Sequence, residues 1–143
     1  MAKFTQDMKD IAAKADPFIL ATASKSGKPN GVPIGLVKII SDDEIMLVDV
    51  FMRKSRQNID ENPMVAVTFW SKEVHYGYQF KGKARVETSG KLFDEAIQWV
   101  EDKPKPSDLK PLDSKPKPKA IVVVKVNEIY YVGAGKDSSR NLA

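Results

Sequence analysis

Phe51-Met52-Arg53-Lys54-Ser55-Arg56-Gln57-Asn58-Ile59 is the stretch on which the reading of this chain turns. It sets three cations, a hydroxyl and two amides between two strand-like runs, Glu44 to Val50 and Met64 to Trp70. A short helix is predicted from about Lys54 to Glu61, with Asn62-Pro63 as its stop, because the residue before proline avoids the α region. Strand, cationic turn, then helix is an arrangement that holds a phosphate: N–H groups at a helix start point at the anion, and flanking Lys and Arg neutralise it. A solvated helix start with scattered charges is the plainer reading of the same residues. Against it stands the helix dipole, already positive at that end, so Arg53, Lys54 and Arg56 cost stability there unless an anion offsets them.

Outward from this turn, hydrophobic patterning divides the chain into short elements. Phe4, Met8, Ile11, Ala12 and Ala15 recur at helical spacing, and Asp16-Pro17 ends that helix. Phe18 to Ala23 reads as a buried strand, Ser24 to Asn30 as a turn, and Val32 to Ile40 as one further strand loosened by Gly31 and Gly35. Ser41-Asp42-Asp43 turns the chain into Glu44 to Val50. Beyond Met64 to Trp70, the run Tyr76 to Glu87 alternates apolar and polar residues. Thr88-Ser89-Gly90 opens a helix whose apolar face is Leu92, Phe93, Ala96, Ile97 and Val100. Ala120 to Val132 is the last strand, strongly β-branched, and Gly133 to Ala143 reads as a frayed tail. Six strand runs and three helices that do not alternate as βαβ predict a mainly β fold, an antiparallel barrel with helices at its edges.

Composition narrows the chemistry. The 143 residues predict one domain, 1–143, and 42% apolar content is enough for a real core. With no cysteine there is no disulfide framework, thiolate metal site or cysteine nucleophile, and a single histidine, His75, argues against a multi-histidine metal site. Asp42, Asp43 and Glu44 look like a metal-binding run, but a hairpin turn explains them better, so no metal is expected. No apolar run reaches the roughly 18 residues of a membrane span, and Met1 to Ala15 lacks the apolar core of a signal peptide. The expectation is a soluble, cytoplasmic protein. The net charge is +4, but six of the 23 cations crowd into a Lys/Pro-rich loop at about 103–119. Elsewhere acids and cations nearly balance, which weakens any inference of nucleic-acid binding.

A second candidate feature is Val32-Pro33-Ile34-Gly35-Leu36-Val37-Lys38. Proline removes a ladder donor and belongs at a sheet edge or bulge, and Gly35 lets another group approach the backbone. The plain reading is an irregular edge strand, and the functional one is a lip against which a flat ligand lies. Trp70 and Trp99 read as core or interface residues, and His75 as a surface residue near a turn.

At this point the residues resemble a known family, the pyridoxamine 5'-phosphate oxidase-like FMN-binding split-barrel proteins. The resemblance runs through Phe18 to Ala23, Ser26-Gly27-Lys28-Pro29-Asn30, Val32 to Lys38, Met52-Arg53-Lys54-Ser55 with Asn58-Ile59 and Glu61-Asn62-Pro63, and Gly77 to Ala84. It covers about residues 4 to 132, and the order and spacing of these short motifs carry it. It implies a six-stranded antiparallel split β-barrel of Greek-key type and a homodimer with FMN at its interface. Carried over by position, Lys54 and Ser55 would bind the FMN phosphate, with Arg53 assisting and Asn58 fixing the turn. Val32, Pro33 and Ile34 would line the flavin ring, with Lys38 and the end of the third strand (Asp49, Val50, Phe51) close by, and Gln79 a further contact. No catalytic acid or base stands out.

The chain departs from the pyridoxamine phosphate oxidases in lacking their C-terminal substrate-binding extension, which argues against oxidation of pyridoxamine phosphate. The expectation is a small flavoprotein in hydride or electron transfer, served by a small-molecule redox partner or an electron-carrier protein. Two alternatives stay open: a split-barrel reductase using the deazaflavin F420, and a non-catalytic module whose basic Lys/Pro loop holds nucleic acid or an acidic partner.

Overall fold

The structure is a computed structural model that describes residues 2–103, 117–135, 137–138 and 140–143. Most of the Lys/Pro-rich segment predicted at about 103–119 lies outside the described residues. The elements run α1 (Gln6–Lys14), β1 (Phe18–Ala23), β2 (Pro29–Ile34), β3 (Val37–Ile39), β4 (Glu44–Asp49), α2 (Lys54–Glu61), β5 (Met64–Ser71), β6 (Tyr76–Glu87), α3 (Lys91–Glu101) and β7 (Ala120–Val132). The strands form one antiparallel sheet in the order β2-β1-β5-β6-β7-β4-β3. The fold is mainly β with helices, as expected, but the described residues form seven strands rather than six.

The extra strand comes from Val32 to Ile40, which divides at Gly35-Leu36. Residues up to Ile34 pair with β1, whereas Val37–Ile39 pair with β4. Pro33 sits on an edge strand, where its missing donor costs no ladder bond. β2 and β3 are therefore the two opposite edges of the sheet, joined by two residues. In a flat sheet, six strand spacings would hold those edges about 28 Å apart. The three Cα steps from Ile34 to Val37 span at most about 11 Å. The sheet must curl until its edges meet, which makes it a split barrel.

The curled sheet encloses the main core. Leu20, Val67, Phe80 and Ile129 face one another across successive strands, and each is wholly buried. Phe4 stacks on Phe80 with ring centroids 4.6 Å apart, and Met8 and Ile11 bring α1 onto the same cluster. β4 and β7 are buried on both faces. Ile45, Leu47, Val122 and Val124 point into the barrel, while Met46, Val48, Ile121 and Val123 pack beneath Ala96 and Val100 of α3. This two-sided burial is why β7 reads as a continuous apolar run instead of an alternating one.

Two local devices fix the ends of this arrangement. The Thr5 hydroxyl accepts from the Met8 N–H and caps α1, and the Asp7 carboxylate accepts hydrogen bonds from the hydroxyls of Tyr76 and Tyr78 on β6. The chain after β7, predicted as frayed, in its described part docks along that strand instead. The Leu142 N–H donates to the Ile129 carbonyl at 2.7 Å, and Asn141 Oδ1 accepts from the Ile129 N–H at 3.2 Å. Both backbone groups of Ile129 are thereby satisfied at an otherwise open end. Among the described residues no helix is long and apolar enough to cross a membrane.

Two outcomes are expected of this fold. At the β6–β7 bulge, a Cβ on Gly82 would lie 1.9 Å from the Lys125 carbonyl oxygen, a backbone atom that cannot move aside. Gly82→Ala should therefore lower stability by at least ~2 kcal/mol in urea unfolding. Burial, reinforced by the Asp7 carboxylate, raises the Tyr78 phenol well above its ordinary value of 10.0. The unfolded chain then loses this proton first, so stability should decline as pH rises above 10.0, and the decline should flatten in Tyr78→Phe.

Candidate functional site

The β2–β3 junction, the end of β4 and the start of α2 enclose a cleft of about 640 Å³. This lies inside the roughly 300–1,000 Å³ of small-molecule sites. One wall is backbone and apolar: Val32, Pro33 and Ile34 of β2, then Gly35 and Leu36. Val48 of β4 and Val50 just beyond it continue that wall. The opposite wall is the turn Phe51 to Ser55. A Cβ built on Gly35 meets no atom within 4 Å, so this stretch of backbone is open to close approach.

The polar end of the cleft is the start of α2. Arg53 stands at the N-cap without a capping side chain, and the first turn contains no acidic residue. Among the described residues neither Arg53 nor Lys54 is in an ion pair with a carboxylate, and both are exposed. Ser55, almost fully buried, receives a 3.3 Å hydrogen bond from the Asn30 side-chain amide on β2. Helix N–H donors without a side-chain cap, two cations with no carboxylate partner among the described residues, and a fixed hydroxyl converge on one end of an apolar slot. That donor set fits a phosphate on a flat, largely apolar body, and thus fits FMN.

Of the residues nominated from sequence, Val32, Pro33, Ile34, Val50, Phe51, Arg53, Lys54 and Ser55 line this cleft. Asn58 lies behind it: its amide donates to the Thr22 hydroxyl of β1 at 3.0 Å, pinning α2 to the sheet. Asp49 lies beneath the turn, wholly buried and bonded to Arg56 at 2.7 Å. Two nominees fall elsewhere. Lys38 lines a separate groove between α1 and β3, with its ammonium 5.5 Å from the Trp99 ring centre. Gln79 donates to the Thr68 hydroxyl at 3.0 Å on the outer face of the sheet. Gly35 and Leu36 of the Val32 to Lys38 lip line the cleft as well, and Asn30, Val48 and Met52 do so without having been nominated. Asn30 was legible as a turn residue beside a strand, but its partnership with Ser55, 25 positions on, had no local signal. Among the described residues no three potential metal-ligating side chains converge.

The sequence model of the pyridoxamine 5'-phosphate oxidase family matches residues 4–133. An uncharacterised protein of Methanocaldococcus jannaschii is 34% identical over 145 residues, which span 100% of this chain and 90% of that protein. The crystal structure of HupZ from Group A Streptococcus superposes with a TM-score of 0.78 at 24% identity, covering 95% of this chain and 99% of the other. An FMN-binding protein from Syntrophomonas wolfei superposes with a TM-score of 0.74 at 16% identity, covering 90% and 86%. The two structural likenesses speak to the split-barrel fold, and the match over residues 4–133 to the lineage: the chain belongs to the pyridoxamine 5'-phosphate oxidase family.

Proposed function

We propose that this chain is an FMN-binding flavoprotein that works in hydride or electron transfer as a homodimer. The observation that carries the reading is the cleft itself. An apolar, backbone-walled slot ends in an uncapped helix start with Arg53, Lys54 and Ser55. Membership of the family, and a structural relative that is an FMN-binding protein, agree with it.

In this reading Arg53, Lys54 and the first N–H groups of α2 neutralise and orient the phosphate, and Ser55 donates its hydroxyl. Val32, Pro33 and Ile34 offer an edge for the ring, and Gly35 leaves the space for it. When bound, FMN would supply the redox chemistry, which no side chain of this protein provides. The homodimer is supported by apolar exposure around the site. Phe51, at the lip of the cleft, is 72% exposed, and Ile19 and Trp70 on the outer face of β1 and β5 are 40% and 43% exposed. A second copy would cover such residues and close the cleft to water.

Two measurements check this. The purified protein should show a flavin absorption band, or gain one when FMN is added, and heat should release FMN rather than F420. A colourless protein whose spectrum FMN leaves unchanged would overturn the reading. Gly35→Val adds a side chain whose Cβ meets no protein atom within 4 Å. It should leave the unfolding free energy in urea within about 1 kcal/mol of the parent while weakening FMN more than about 10-fold in a fluorescence titration. Undiminished FMN affinity in that variant would show that nothing approaches the backbone there.

A further inference from the structure

The turn that forms the polar end of the cleft is held by two residues far apart in sequence. Asp49 Oδ1 accepts the Met52 N–H at 2.9 Å, and Oδ2 accepts from Arg56 Nη1 at 2.7 Å. Lys119, just before β7, donates its ammonium to the Met52 carbonyl at 3.0 Å, with that same nitrogen 3.7 Å from Asp49 Oδ1. The Lys119 N–H also donates to the Asp49 carbonyl at 2.8 Å. Both backbone polar groups of Met52 are thus engaged by side chains. Met52 immediately precedes Arg53, so this clasp sets the direction in which the chain enters α2.

The clasp also has an electrostatic consequence. A carboxylate four residues ahead of Arg53, left free, would repel a phosphate or capture the very cations that should bind it. Asp49 spares Arg53 and Lys54, because it is wholly buried and shared between Arg56 and Lys119. Arg56 is thereby withdrawn from the ligand, and among the described residues Arg53 and Lys54 are left without a carboxylate partner. The clasp is anchored from Lys119, just before β7, a strand that contributes nothing to the lining of the cleft.

We infer that Asp49 and Lys119 are positioning residues for phosphate recognition: by clasping Met52 they aim the α2 start and keep the Asp49 carboxylate from competing with the ligand. This rests on the flavin reading above. The two fail separately when FMN is compared with riboflavin, which has the same ring and no phosphate.

In the wild type FMN should bind more tightly than riboflavin. Lys119→Met should cut that preference about 10-fold, mostly through FMN, because the lost contacts act on a charge-assisted site. Lys119→Arg keeps the charge and should restore the preference to within about 3-fold. In the ligand-free protein, Lys119→Met should speed hydrogen exchange of the Met52 amide. Asp49→Asn, which keeps the shape and removes the charge, should move both readouts the same way. A wild type that does not prefer FMN would end the phosphate reading. A wild-type preference that survives in Lys119→Met, with Met52 exchange unchanged, would end the positioning role alone. Lys119 is half exposed, so its substitution tests the clasp even where Asp49→Asn fails to fold.

Discussion

The two-residue link between β2 and β3 governs this molecule. It ties together the edges of a seven-stranded sheet that could not otherwise approach each other. Once the sheet curls to satisfy that link, the aromatic and aliphatic side chains of its inner face have a common interior. The same link also makes the cleft. Where the chain leaves one edge for the other, Gly35 and Leu36 form a stretch of wall that side chains do not fill, and the β4–α2 turn lies opposite.

Charge is distributed around that cleft by depth. Three cations crowd the start of α2, and the macrodipole argument says that such crowding needs an anion. The protein supplies part of it internally. Asp49 takes Arg56 into a part-buried pair and leaves Arg53 and Lys54 on the open side. The cation run therefore has two uses: one member builds the turn, and the others face what enters the cleft.

Much of this was legible in the sequence because the signals were local. The α2 boundaries follow from the turn residues and Asn62-Pro63, and β1, β6 and β7 follow from their apolar patterning. The divided strand was not legible. Val32 to Ile40 has one composition throughout, and the change of partner at Gly35 depends on where β1 and β4 lie in space. For the same reason Lys38, two positions beyond a cleft residue, leads away from the cleft toward Trp99. The Asp49–Lys119 contact joins positions 70 apart and has no periodicity to reveal it. The docked chain end at Asn141 and Leu142 was missed because its polar composition matches a loose tail, while its pairing with Ile129 is tertiary.

β7 has one further consequence, for synthesis. It is the strand that joins β6 to β4, so the half built on β1, β5 and β6 meets the half built on β3 and β4 through it. It is also the last strand in chain order. While a ribosome is still making the earlier strands, the nascent chain has two sheet fragments with unpaired inner edges and no enclosed interior. Pairings this distant in sequence form slowly and leave apolar surface open meanwhile. The nascent protein thus depends on β7 to close its interior, and a cofactor meets a finished pocket only after translation has passed it.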